Sequence, residues 1–187
     1  MTQQPPTGYG YGQPQPPAPG TPRPGELVDR FLARLIDYIL LGVVNGIVVS
    51  GVVVGGLLGL RAGFGGGFGV GAATYAAAAV SAVLSALVSL AYFALLESSR
   101  GQTVGKMLLK LRTTGPDGQN PTLDQAIRRN IFTAFGVFGA VPYIGWIGSL
   151  VSLVAIILIA VGINNDAVSR QAWHDHFAGE TRVWKLG

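Results

Sequence analysis

The sequence predicts an all-α membrane protein, a small polytopic helical bundle with a disordered N-terminal tail and a short cytoplasmic turn and strand segment. Three observations carry this. Charged residues make up only 12% of the chain, about half the usual ~25% for a soluble domain. Mean hydropathy is +0.45. Charges are confined to short clusters separating three long uncharged runs, a pattern that a soluble core does not need. At 187 residues a single domain is the default. We divide the chain into a tail, 1–25, and a membrane domain, 26–187.

The tail is built from Pro, Gln, Gly, Tyr and Thr, as in Thr7-Gly8-Tyr9-Gly10-Tyr11-Gly12. It has too little apolar surface to offset the entropy of ordering. Tyr9 and Tyr11 could recruit a protein partner, whereas a solvated tail is the plainer reading. The first apolar run begins far from Met1 and is longer than a signal core, so it reads as a retained helix.

That helix, about 32–59, is preceded by Glu26 and Asp29, which suit the positive end of a helix dipole. Arg30, Arg34 and Asp37 recur at spacings that place all three on one face. A carboxylate one turn inside a membrane helix is costly and needs a partner. Arg30 or Arg34 is the expected one. From Tyr38 to Leu60 no charge interrupts the run, which is long enough to cross a bilayer. Gly42 and Gly46, then Gly51, Gly55 and Gly59, form a small-residue face suited to close helix packing.

A glycine loop, 61–69, leads to a second helix, about 72–96. Its stripe of Ala77, Ser81, Ser85 and Ser89 is the expected partner of the glycine face. The segment from Glu97 to Arg129 is charged, with a turn at Gly115-Pro116-Asp117-Gly118, a strand-like Leu109-Lys110-Leu111-Arg112 before it, and a helix start at Pro121-Thr122-Leu123-Asp124. Its basic residues, against the lone Arg61 in the preceding loop, place this segment and the N-terminus in the cytoplasm. Pro142 then breaks a run too long for one straight crossing. Either a re-entrant helix, 123–139, precedes a crossing at 143–163, or both pieces cross as a hairpin. The C-terminal charges favour a cytoplasmic C-terminus.

Several chemistries are excluded or disfavoured. The chain has no cysteine, which removes disulfides and thiol chemistry. A net charge of +4 does not imply nucleic acid, because the basic residues flank apolar runs. Gly101-Gln102-Thr103-Val104-Gly105-Lys106 is one residue short of a phosphate loop, Met107 replaces its Ser or Thr, and a membrane helix precedes it. A cytoplasmic turn presenting Lys106 to the interface or to lipid phosphate fits better. His174, Asp175 and His176 are too few for a metal site without further ligands, so a polar cluster at the interface is expected, with Trp173 and Trp184 as belt residues. No nucleophile elbow or catalytic spacing stands out. Neither an enzyme nor a cofactor is expected, and membrane lipid is the one partner that composition implies.

Three segments, Arg30 to Asp37, Gly101 to Arg112 and His174 to Thr181, occur in the order of a known pattern. Together they make the chain resemble the RDD family of bacterial membrane proteins, named for an arginine and two aspartates. The resemblance brackets residues 26 to about 185. It implies that Arg30 or Arg34 is the signature arginine, Asp37 the first aspartate and Asp175 the second. Glu180 departs from the pattern by standing between Gly179 and Thr181, where the family is expected to run directly. The Pro/Gly/Tyr-rich tail is similar to those of actinobacterial members, including mycobacterial proline-rich antigens. The resemblance implies a multi-pass protein of the plasma (inner) membrane. Transport of an ion or small solute is often suggested for the family, with some members linked to sodium–proton exchange.

Two functions follow for the Arg30, Arg34, Asp37, Lys106, His174 and Asp175 cluster. It either binds a transported ion, in a protein of few crossings that would need a homo-oligomer, or it is a structural clamp in a membrane scaffold. No second ionisable residue occurs in the middle of any predicted membrane helix, which weighs against transport.

Overall fold

A computed structural model of the chain describes residues 20–64, 70–140 and 145–187. Residues 1–19 of the predicted tail, most of the glycine loop and the Pro142 break fall outside these residues, and with them the readings of Tyr9 and Tyr11. The last residues assigned to the tail, 20–25, are described, and Arg23–Pro24 forms a strand there because it pairs with the end of the chain. Three helices dominate: α1 (Leu27–Phe64), α2 (Val70–Arg100) and, after four short elements of which the last is a 3-10 helix (Ile131–Ala140), α5 (Gly145–Asn165). Between α2 and α5 lie α3 (Val104–Leu108), strand β2 (Leu111–Thr114) and α4 (Leu123–Asn130). Helix α6 (Trp173–Phe177) and strand β3 (Arg182–Lys185) close the chain, and a two-residue strand, β1 (Arg23–Pro24), precedes α1.

Among the described residues, two helices contain stretches, Ala76–Arg100 and Trp146–Asn165, long and apolar enough to cross a membrane. Only 11% and 17% of their most apolar windows are buried within the chain. A core helix of a soluble protein would hide most of that surface. Here Val80, Val83 and Leu87 on α2, and Leu150, Leu153, Ile157 and Val161 on α5, face outward, as lipid-facing side chains do. On α1, by contrast, the buried positions Ala33, Asp37 and Leu41 recur every four residues, a single stripe turned toward the other elements.

The glycine face of α1 does not meet α2 as expected. A Cβ built on Gly42, Gly46, Gly51 or Gly55 would meet no atom within 4 Å. Helix α1 instead approaches a neighbour most closely lower down, at Gly105 of α3, where an added Cβ would lie 2.0 Å from the Ala33 carbonyl oxygen. α2 packs along α1, α4 and the segment after α4. The helix also runs past the predicted loop start, since α1 continues through Arg61 to Phe64.

The charged segment is ordered by local signals. Thr122 accepts from the Gln125 amide and Gln125 reaches back to the Thr122 amide, a capping box that starts α4. The α-helix expected over 123–139 stops at Asn130, and Ile131–Ala140 is a 3-10 helix. Phe132, Phe135 and Phe138 recur every third residue, so the three-residue turn aligns them on one ridge. Gly148 of α5 lies against Phe135 and Phe138. The chain thus leaves at Asn130 and comes back along α5. Ten residues of 3-10 helix span about 20 Å, short of the ~30 Å hydrocarbon core.

β1, β3 and β2 form a small antiparallel sheet in that order, with Arg23 opposite Lys185 and Arg112 opposite Trp184. Ala33, Leu111 and Val183 form its buried core. The strand predicted around Leu109–Arg112 begins two residues later, at Leu111. The sheet ties both ends of the membrane domain together: the residues entering α1 pair directly with the last strand.

Candidate functional site

The signature residues gather where α1, α2, α4 and α6 meet, but not in the expected pairs. Asp37 is 1% exposed and no arginine holds it. Its Oδ1 accepts from the Tyr92 hydroxyl (2.7 Å) and the Gly105 amide (2.7 Å), and its Oδ2 from the Thr103 hydroxyl (2.6 Å). Two requirements produce this arrangement. Gly101 adopts φ +69°, which favours glycine and turns the chain sharply after α2. Thr103 then caps α3, and the missing side chain at Gly105 lets the α3 backbone reach the carboxylate on α1.

Asp175 is the carboxylate that the arginines hold. Its Oδ1 lies 2.9 Å from Arg129 Nη2 and its Oδ2 lies 3.1 Å from Arg30 Nη1. The Ala172 amide also donates to Oδ2 at 3.1 Å. Burial opposes ionisation of Asp175, but Arg129 and Arg30 outweigh it and hold the carboxyl well below the usual range. Arg30 also donates to the Gly25 carbonyl, which fixes it at the helix entry. Arg34 turns elsewhere: it donates to Asn130 Oδ1 (2.8 Å) and its guanidinium carbon lies 4.0 Å from the centre of the Phe93 ring.

Lys106 does not reach the interface or a lipid phosphate. It is buried and donates to Glu97 Oε1 (2.5 Å) and the Thr113 hydroxyl (2.7 Å). Burial lowers its ammonium to about 8, against the pull of Glu97. Glu97 Oε2 accepts from Asn130 Nδ2 at 3.1 Å, with Arg129 Nε at 3.8 Å. Glu97, Arg129 and Asn130 therefore join Asp175 to Lys106, whose amide donates to the same Thr103 hydroxyl that donates to Asp37, so the two signature aspartates share one network. Sequence reasoning passed over all three. Their signal was position: Glu97 ends one apolar run and Arg129-Asn130 begins the next, as Asp37 sits inside the first.

The two histidines hold different partners. His176 is exposed and reaches Glu180, whose backbone takes a left-handed φ of +62° at the point where the chain departs from the family pattern. His174 is buried against the Phe132 ring, with its Nε2 3.7 Å from Asp175, too far for a hydrogen bond. Of the belt residues, Trp173 donates to the Ala155 carbonyl of α5, and Trp184 to the Thr114 hydroxyl.

Burial lowers the His174 imidazole from 6.5 to about 3, with Asp175 pulling the other way and Arg129, Arg30 and Arg34 adding to the fall. Between those values the unfolded chain binds a proton that the folded chain refuses. The stability tied to His174 is full above its unfolded value and is lost as pH falls. Going from pH 7 to pH 5 is expected to cost about 2 kcal/mol through this residue. Thermal unfolding in detergent at the two pH values checks this, and His174→Leu should flatten the dependence.

The model of the RDD family matches residues 24–179. Comparison with curated proteins and with solved structures gives no match. The matched span takes in Arg30, Asp37, Asp175 and the residues that join them.

Proposed function

As the chain belongs to the RDD family and carries two helices apolar enough to span a bilayer, we propose that this membrane protein is a multi-pass scaffold or assembly partner whose Arg/Asp/Asp cluster is a structural clamp. The clamp fastens the 97–130 segment and the C-terminal segment to the entry of α1. One observation carries the proposal. All six oxygens of the three buried carboxylates are occupied: Asp37 by Tyr92, Gly105 and Thr103; Glu97 by Lys106 and Asn130; Asp175 by Arg129, Arg30 and Ala172. A cation carrier needs carboxylate or carbonyl oxygen free to take its ion, and here that capacity is spent on the protein itself.

The pairing of β1 with β3 supports an even number of crossings with both ends on one side. The basic residues around the clamp favour the cytoplasm as that side, by the bias of basic residues toward it, and the plasma (inner) membrane is the membrane we propose. The Pro/Gly/Tyr-rich tail precedes β1 in sequence and is the segment proposed to recruit the protein partner.

Asp37 separates this reading from transport. Asp37→Ala leaves the Gly105 amide and two hydroxyls without an acceptor, and should cost roughly 3 kcal/mol in detergent unfolding. Asp37→Asn can keep its oxygen toward Tyr92 and Gly105 while its amide donates to Thr103, so it should lose only about 1 kcal/mol. A well-folded Asp37→Asn protein that abolishes a sodium or proton flux shown by the wild type in proteoliposomes would overturn the clamp in favour of a carrier.

A further inference from the structure

The clamp is complete for its acceptors and incomplete for its donors. Among the described residues, six buried side-chain atoms lack a hydrogen-bond partner: Arg30 Nη2, Arg34 Nη1, Arg129 Nε and Nη1, His174 Nδ1 and Asn45 Oδ1. Five of the six are nitrogens of this one cluster. No carboxylate oxygen of the cluster is among them. A buried N–H left without an acceptor costs about 1–3 kcal/mol, and more when it is charged. Guanidinium groups do not escape by losing a proton.

The charges are lopsided in the same sense. Within the cluster Arg30, Arg34, Lys106 and Arg129 face Asp37, Glu97 and Asp175, which leaves one positive charge over. Asp166 also attracts Arg30, but from outside the cluster, with its oxygens already taken by the Val168, Ser169 and Gln171 amides. Side-chain exposure is 9% for Arg30, 3% for Arg129 and 5% for His174, so bulk solvent does not screen that surplus.

We propose that the cluster binds a small monovalent anion of halide size, held by the unpartnered guanidinium N–H groups of Arg30, Arg34 and Arg129, with the His174 ring joining them as a donor in its Nδ1–H tautomer. Such an ion supplies the missing acceptor and the missing negative charge together. A water molecule would supply only the first. A lipid phosphate is disfavoured because the orphan nitrogens are sealed from the surface, and a headgroup tethered to acyl chains cannot follow them inside. Arg34 presents only its edge, since the Phe93 ring covers its face at 4.0 Å. Arg30 and Arg34 each leave a single nitrogen open, Nη2 and Nη1, so each offers one bond to a shared single-atom acceptor and not the two-point fork that a carboxylate takes. This inference rests on the clamp reading, with the anion as the clamp's last component.

The test uses the full-length chain purified in detergent. Thermal unfolding is followed in sodium chloride and in sodium gluconate at equal ionic strength, and bound chloride is counted by equilibrium dialysis with radioactive chloride. The expected result is a saturable rise in unfolding temperature in chloride only, with one chloride bound per chain. Arg34→Gln should weaken chloride binding by about tenfold or more. If that variant does not fold, the wild-type stoichiometry decides alone. Equal stability in both salts with no bound chloride would overturn the proposal and leave water in the site. Stabilisation by added phosphatidylglycerol without chloride binding would overturn it in favour of a lipid headgroup. Neither result touches the clamp itself, which the sidedness of the C-terminal segment tests separately.

Discussion

Gly105→Ala is expected to destabilise the protein by about 4 kcal/mol. The new Cβ would lie 2.0 Å from the Ala33 carbonyl oxygen and 2.8 Å from its carbon. Both are backbone atoms of α1, so no side-chain rotation relieves the clash. Helix α3 must lift, and the Gly105 amide then leaves Asp37. Lys106 follows in sequence, so the same shift pulls its ammonium from Glu97. Overpacking and the loss of a charge-assisted hydrogen bond therefore act together, and the unfolding temperature should fall by roughly 10 °C. Gly42→Ala is the control. It lies in the same helix as Ala33, its Cβ meets nothing within 4 Å, and it should leave stability within about 1 kcal/mol of wild type. Thermal unfolding of both variants in one detergent checks the contrast. A Gly105→Ala protein that unfolds with wild type would show that α1 and α3 are not in contact.

Arg129→Met carries the second large effect. Arg129 is 3% exposed and stands between two buried carboxylates, 2.9 Å from Asp175 and 3.8 Å from Glu97. Methionine fills much of the volume but leaves the Asp175 carboxylate with the Arg30 guanidinium, the Ala172 amide and a long contact from the Thr181 hydroxyl at 3.5 Å. Breaking one side of a buried charge network costs about 3–5 kcal/mol. The loss should be localised as well as large. Asp175 anchors the C-terminal turn through the Thr181 amide to the Asp175 carbonyl and through the Ala172 amide to its own carboxylate. Hydrogen exchange should therefore accelerate first at Ala172, Thr181 and Val183, and later in α2. Removing both charges, in Arg129→Met with Asp175→Leu, should recover part of the loss, because no charge then remains unpaired at that position. An additive double variant would contradict direct coupling.

Hydropathy and charge clustering were enough to read the membrane class, the helical bundle and the order of its apolar runs, because a bilayer forces backbone hydrogen bonding into helices whatever the detailed packing. Thr122 and Gly115-Pro116-Asp117-Gly118 likewise marked their cap and turn through local chemistry. What could not be read was which charges pair. Helical spacing puts Arg30, Arg34 and Asp37 on one face, but it cannot say that α3 brings a glycine amide to Asp37 before either arginine reaches it. Asp175 captures Arg30 across 145 positions of sequence, through a fold that no local pattern encodes. The glycine face of α1 misled for a related reason: small residues permit close approach without requiring it, and the close approach occurs at Gly105 instead. The change to 3-10 geometry after Asn130 was legible only in hindsight, in the three-residue spacing of Phe132, Phe135 and Phe138.

The clamp requires the C-terminal segment to share a side of the membrane with the 97–130 segment. The chain has no native cysteine, so single cysteines can report this without background. Val168, 83% exposed, and Gln119, exposed beside the turn, are suited to replacement. Each variant is treated with a membrane-impermeant thiol reagent in intact cells and again after permeabilisation. The clamp predicts that Val168→Cys and Gln119→Cys are both protected in intact cells and both labelled once the membrane is opened. Labelling of one in intact cells while the other stays protected would put Asp175 and Arg129 on opposite faces, and no clamp could join them.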